Sequence, residues 1–106
     1  MGKYKGKRGG PPFVMLERAT LDNPVWRTLT PSAMIVYIYI KKNFNGSNNS
    51  DISFRYKEIG DILAPATISR ALKELQIKEW IKKTRHGGMF RCYCKYELTG
   101  KHDRIR

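Results

Sequence analysis

The chain has 106 residues, of which 21 are lysine or arginine and 9 are aspartate or glutamate, so its formal net charge at pH 7 is +12. A chain of this length builds one domain around one shared core, and a hydrophobic content of 41% suits a globular fold and not a disordered basic tail. A folded domain with this much positive charge is expected to bind polyanions.

The first ten residues form a glycine-rich basic segment with nothing to pack. Its cations alternate with glycines and are Lys3, Lys5, Lys7 and Arg8. We predict a flexible basic arm over residues 1–10 that reaches a DNA backbone or a neighbouring minor groove. A role in solubility alone, or a vector-derived remnant, is the alternative.

Two helical segments are predicted next. The segment Asn23-Pro24-Val25-Trp26 resembles a capped helical turn whose tryptophan anchors the N-terminal part on the following helix. Thr30 and Pro31 supply a hydroxyl cap and a first helical residue, so we predict a central helix over residues 31–44. Its apolar run, residues 33–40, is too short to cross a bilayer. Because no targeting signal is recognisable, we expect a cytoplasmic protein without a membrane partner.

A polar loop follows over residues 45–51. A calcium loop needs several carboxylates at alternating positions, and this stretch contains only Asp51. Its amides favour turns, so we predict a structural connection, with phosphate contact by the loop amides as the alternative. The loop leads into a short strand, residues 51–54, which is expected to pair beside a C-terminal hairpin.

Two short helices and a hairpin are predicted for the C-terminal half. The first helix spans residues 56–63, and Pro65 marks a break before the second. The second helix spans residues 66–76, with Thr67 as an alternative start. The second helix spaces its apolar residues for burial on one side: Ile68, Ala71, Leu72 and Leu75.

The hairpin consists of strands 80–85 and 89–98, joined by a turn at His86-Gly87-Gly88. In the second strand alternate residues share a side, so one side is expected to pack against the core and the other to be exposed to solvent. The predicted fold class is therefore α+β, with a three-helix core, a short strand and a C-terminal β-hairpin.

Several segments of this pattern resemble the winged-helix superfamily, in particular compact phage- and plasmid-type proteins related to replication-initiator and MarR-like domains. The segments that carry the resemblance are Pro11-Pro-Phe-Val14, Leu21-Asp-Asn-Pro-Val-Trp26, Leu29-Thr-Pro-Ser-Ala33, Asn45-Gly-Ser-Asn-Asn49, Thr67-Ile-Ser-Arg-Ala-Leu-Lys-Glu-Leu75 and Trp80-Ile81. Where the family pattern tends to close the second helix with glycine, this chain has Lys78-Glu79.

The resemblance implies a winged-helix domain over residues 11–98, between the basic arm at 1–10 and a basic C-terminal tail at 99–106. It also implies duplex DNA binding, in transcription control or in replication of a phage or other mobile element.

The candidate DNA-binding residues lie on the 66–76 helix and on the hairpin. The helix side chains are expected to enter the major groove, with Arg70 as the base reader, because arginine can donate two parallel hydrogen bonds to guanine. The hairpin cations are expected to hold flanking phosphates. The full set is Thr67, Ser69, Arg70, Lys73, Lys82, Lys83, Arg85 and Arg91. A solvated helix face that contacts only water is the alternative.

No metal site and no active site are expected. Cys92 and Cys94 share one side of a strand, too far apart for a relaxed disulfide, so we predict free thiols. A zinc site needs four ligands and the other candidates are His86 and His102, although zinc shared across a dimer stays open. With no Ser/His/Asp set and no phosphate-cradling glycine loop, we predict no catalysis, no cofactor and no small-molecule substrate.

Two other functions stay open. One is a protein-interaction module in a replication or transcription complex, docking through Tyr4, Tyr39 and Tyr93. The other is RNA binding, because Tyr93 between Arg91 and Lys95 resembles an aromatic stacking face. No long terminal helix of the kind that builds MarR-type dimers is predicted, so we expect a monomer or a weak homodimer.

Overall fold

The computed structural model describes residues 13–46, 48–49, 51–85 and 94–103. The elements within these ranges are, in chain order, α1 (Arg18–Asp22), α2 (Pro24–Arg27), α3 (Pro31–Lys42), β1 (Ile52–Ser53), a 3-10 helix (Tyr56–Ile59), α4 (Pro65–Ile77), β2 (Ile81–Arg85) and β3 (Lys95–Leu98). The strands form an antiparallel sheet in the order β1-β3-β2. The predicted α+β class is confirmed, and the short strand β1 pairs with a hairpin strand as expected.

Caps and prolines start α2 and α3 where the sequence predicts them. The Asn23 side chain accepts a hydrogen bond from the Val25 amide at 2.8 Å, and the Thr30 hydroxyl accepts one from the Ala33 amide at 3.2 Å. The α3 helix ends at Lys42, before the predicted residue 44. Asn43 is the C-cap, and its side-chain amide donates to the Ser53 carbonyl of β1 and to the Glu58 carboxylate.

The two helices predicted for the C-terminal half differ from expectation in their bounds. The first is only a 3-10 helix over Tyr56–Ile59, a geometry suited to short connecting pieces. The α4 helix begins at Pro65, ahead of the predicted start at residue 66 or 67. Ala64 is extended there (φ −70°, ψ 153°) and provides no side-chain cap. Proline has a preset φ and no N–H to satisfy, so α4 starts without one.

A Schellman motif ends α4, with glutamate where glycine is usual. Glu79 has φ 64° and is, within the described ranges, the non-glycine residue with a left-handed backbone. Its amide donates to the Gln76 carbonyl at 3.1 Å, and the Trp80 amide donates to the Leu75 carbonyl at 2.8 Å. This reversal turns the Trp80 side chain into the core just before β2, where it is 2% exposed.

Three aromatic rings lie at the centre of the core. Trp26, Tyr37 and Trp80 meet edge to face in all three pairs, with ring centroids 5.3 to 5.9 Å apart. The predicted anchoring role of Trp26 is confirmed. Along β3, Tyr96 and Leu98 are buried and Lys95 and Glu97 are half-buried, which confirms the predicted alternation for this part of the strand. The predicted turn at residues 86–88 and strand residues 89–93, Cys92 included, lie outside the described residues.

Asp103, which lies in the stretch that the sequence assigned to a basic tail, packs against the body of the protein. The Asp103 carboxylate is 4% exposed and accepts hydrogen bonds from the Thr20 hydroxyl at 2.7 Å and the Tyr37 hydroxyl at 2.6 Å, and it pairs with the Lys41 ammonium. Burial acts to raise the pKa of Asp103, but the hydrogen bonds from Lys41, Tyr37 and Thr20 outweigh it and hold the pKa below its ordinary value. The packed chain thus continues past the predicted boundary at residue 98.

Candidate nucleic-acid interface

The α4 helix has a buried side and an exposed side. Its buried residues recur at three- and four-residue intervals, as predicted, and are Ile68, Ala71, Leu72 and Leu75. On the opposite side Ser69, Arg70 and Lys73 are exposed and lie within one turn of one another. We call these three residues the α4 stripe. At its C-terminal end the stripe continues into Ile77, whose side chain is 72% exposed.

Glu74, the acidic residue of α4, is turned away from the α4 stripe. Its carboxylate accepts hydrogen bonds from the Thr30 amide at 3.0 Å, the Thr30 hydroxyl at 2.8 Å and the Lys78 ammonium at 3.2 Å. Partial burial acts to raise the pKa of Glu74, yet the bonds from Thr30 and Lys78 lower it overall, so the group is charged at neutral pH. This contact ties the second half of α4 to the beginning of α3.

The cations of the α4 stripe are consequently not neutralised from within α4. Across the part of the chain that the structure describes, no ion pair and no side-chain hydrogen bond engages Arg70 or Lys73. The stripe presents hydroxyl, guanidinium and ammonium groups to solvent side by side. Such a set can donate hydrogen bonds to phosphate oxygens and to base edges.

Thr67, the other predicted contact residue of α4, occupies a different position. It is half-buried and precedes Glu74 by two helical turns, so both lie on the flank of α4 and not on the exposed stripe.

The predicted hairpin contacts divide between the two faces of the sheet. Ile81 and Lys83 lie opposite the buried residues Leu98 and Tyr96, which places them on the face that packs against the helices. Lys82 lies on the other face, where it is exposed and opposite Glu97. An irregularity in the pairing between Lys83 and Arg85 precedes the turn of the hairpin. The Arg85 side chain and Arg91 lie outside what the structure describes.

Sequence reasoning missed the contact between Glu74 and Thr30. Helical periodicity indicates the face on which a residue such as Glu74 lies, and not its partner. Thr30 is 44 residues away in the chain, and its recognisable signal is that of a helix cap. The same hydroxyl caps α3 and donates to Glu74.

Neither a metal site nor a membrane-spanning helix is present among the described residues. No cluster of three or more histidine, cysteine, aspartate or glutamate side chains is arranged there to hold a metal ion. The helices in these ranges are also too short or too polar to cross a membrane. The possibility of zinc shared through Cys92 concerns a residue outside the described ranges.

No family model, curated protein or solved structure matches the chain. The winged-helix resemblance therefore stays a prediction from the sequence.

Proposed function

We propose that the protein is a winged-helix DNA-binding protein that lays α4 in the major groove of duplex DNA, as a regulator of transcription or a replication factor of a phage or other mobile element. The element order supports this proposal, since α3, β1, the 3-10 helix, α4 and two antiparallel strands follow one another as the resemblance implies. The observation that carries it is the α4 stripe, a row of exposed donors on a helix whose acid is bound elsewhere.

Helix geometry fits this role. The 13 residues of α4 form a rod about 20 Å long, and its diameter of roughly 10 to 12 Å matches the major groove of B-DNA at about 12 Å. Arg70 sits near the middle of α4, where its guanidinium can donate two bonds to the O6 and N7 atoms of guanine. Ser69 and Lys73 flank it and can contact phosphates or base edges.

The net charge supplies the affinity that does not depend on sequence. Each phosphate neutralised by lysine or arginine releases condensed counterions, so a chain with a net charge of +12 gains affinity at low salt. The sequence preference then comes from the few side chains that reach base edges.

The test begins with selection of bound duplexes from a random library by the full chain, followed by titration of the selected duplex. The Arg70→Ala variant is expected to lose about 1 to 3 kcal/mol and to accept other bases at one position. The Arg70→Lys variant keeps the charge but loses the paired donors, so it should keep the salt dependence and lose the base preference.

Lys42→Ala is the matched control, because Lys42 is an exposed cation at the end of α3 and the substitution removes the same charge. It should weaken binding only slightly and equally for all duplexes. If the Arg70 and Lys42 variants bind alike, or if the chain prefers single strands or shows no duplex affinity at low salt, the proposal is wrong. Preference for single strands would favour RNA binding instead.

A further inference from the structure

A small groove lies at the C-terminal end of α3, apart from the α4 stripe. Its volume is about 220 Å³, and about half of its lining residues are apolar, the others being two lysines, an asparagine and a glycine: Phe13, Val14, Met15, Lys41, Lys42, Phe44, Asn45 and Gly46. We call this feature the N-terminal groove.

The N-terminal groove combines exposed apolar groups with positive charge. Phe13 is 76% exposed and Met15 is 42% exposed, the first of these being the most exposed large apolar side chain among the described residues. No carboxylate lines the groove. The charge of Lys41 is taken up by Asp103, whereas Lys42 is exposed at the rim. An exposed apolar patch with polar groups at its rim can mark an interaction site.

Residues 13–15 form one wall of the groove. Residues 13–16 belong to no helix or strand, and no hydrogen bond joins their backbone to another of the described residues. Backbone donors and acceptors that none of the described residues uses can pair with an extended peptide that binds along a protein surface.

We propose that the N-terminal groove binds an acidic peptide segment of a partner protein, which inserts one aromatic or branched aliphatic side chain. A volume of about 220 Å³ lies below the roughly 300 to 1,000 Å³ typical of small-molecule sites, so it suits one buried anchor side chain. Lys42 and the overall positive charge complement acidic residues on either side of that anchor. A second copy of this chain carries the same +12 charge, which opposes its docking in the groove.

The groove and the proposed DNA-binding surface are separate. Glu74 of α4 contacts Thr30 at the start of α3, and the groove is lined by residues at the other end of α3. The 12 residues of α3 separate the two ends by about 18 Å. Changes in one surface should therefore leave the other unaffected, and the proposal does not depend on DNA binding.

The experiment is a selection of peptides from an unbiased random display library with the full chain as bait, at physiological salt. The expected consensus is one aromatic or leucine-like residue flanked by aspartate or glutamate. A labelled peptide of that sequence is then titrated with two variants of the protein. Met15→Glu should lower the affinity for the peptide about tenfold or more, and Lys42→Ala should lower it several-fold. Phe13→Ser is a second groove variant, at a position exposed enough for the fold to tolerate it.

Arg70→Ala is the charge-matched control for Lys42→Ala, and it should leave the peptide affinity unchanged. Thermal unfolding of each variant checks that the fold is kept. The proposal is overturned if no peptide is enriched, if the enriched peptides lack acids or an apolar anchor, or if Arg70→Ala and the groove variants weaken the peptide equally. Binding to vesicles rich in phosphatidylserine that is lost in Met15→Glu, without peptide enrichment, would assign the groove to a membrane surface instead.

Discussion

At the scale of single residues, Glu79 is the clearest conflict between local preference and the fold. Its left-handed backbone (φ 64°) places a Cβ close to the following carbonyl, a position that glycine occupies without this strain. The Schellman bonds at the end of α4 require this conformation whatever the residue, because they fix where Trp80 enters the core. The side chain of Glu79 contributes an exposed ion pair with Lys101.

We therefore expect Glu79→Gly to stabilise the protein and to raise the melting temperature by a few degrees, as measured by circular dichroism. Glu79→Gln is the control, since it removes the charge from the ion pair and keeps the strained backbone. That variant should change the melting temperature little, because exposed ion pairs contribute little to stability. A lower melting temperature for the glycine variant than for the glutamine variant would contradict this account.

At the scale of elements, the buried Asp103 holds the C-terminal segment against α1 and α3. Its carboxylate joins Thr20 of α1 to Tyr37 and Lys41 of α3, and each of these residues is at most 8% exposed. Removing one partner of a buried pair is costly, because the remaining charge stays desolvated. Burial and the bond to Asp103 also raise the pKa of Tyr37, so its hydroxyl remains protonated and keeps donating.

The Asp103→Asn variant should lose roughly 3 to 5 kcal/mol of unfolding free energy at neutral pH in urea titrations. The pKa of Asp103 is lowered in the folded protein, so its contribution is present above the ordinary aspartate pKa and is lost as the pH falls through the folded value. The gap between the variant and the parent protein should therefore narrow in acid. Lys101→Ala, in the exposed ion pair, is the control and should behave like the parent. A gap that persists unchanged into acid would show that packing, not charge, sets the cost.

Element bounds and faces were predictable where the signal is local. Thr30 and Asn23 are caps followed by proline, and both helices start where those residues indicate. The buried side of α4 followed from helical periodicity. The position of Asp103 did not follow, because its partners lie 62 to 83 residues away and its sequence neighbours are basic. The contact of Glu74 with Thr30 could not be predicted for the same reason, although it leaves the α4 stripe without an acidic residue.

At the scale of the whole molecule, the surface that faces a duplex is set by how the sheet and α4 pack together. The helices cover one face of the sheet, and Lys83 lies on that face, while Lys82 lies on the other. A duplex that contacts the α4 stripe approaches from the helix side, because DNA is a rigid rod at this length. The proposed docking therefore predicts a phosphate contact for Lys83 and none for Lys82, its neighbour in the same strand.

We expect Lys83→Ala to weaken all duplexes alike and to lower the slope of log affinity against log salt by about one, since it removes one phosphate contact. Lys82→Ala removes the same charge one residue earlier, on the face opposite α4 and across from Glu97, and should leave the slope unchanged. Titrations of one duplex over a range of salt concentrations measure both. The reverse result, a reduced slope for the Lys82 variant alone, would place the duplex on the far face of the sheet and remove α4 from the interface. Equal slopes for both variants would mean that the charge of the chain acts only at long range, without a fixed contact at the hairpin.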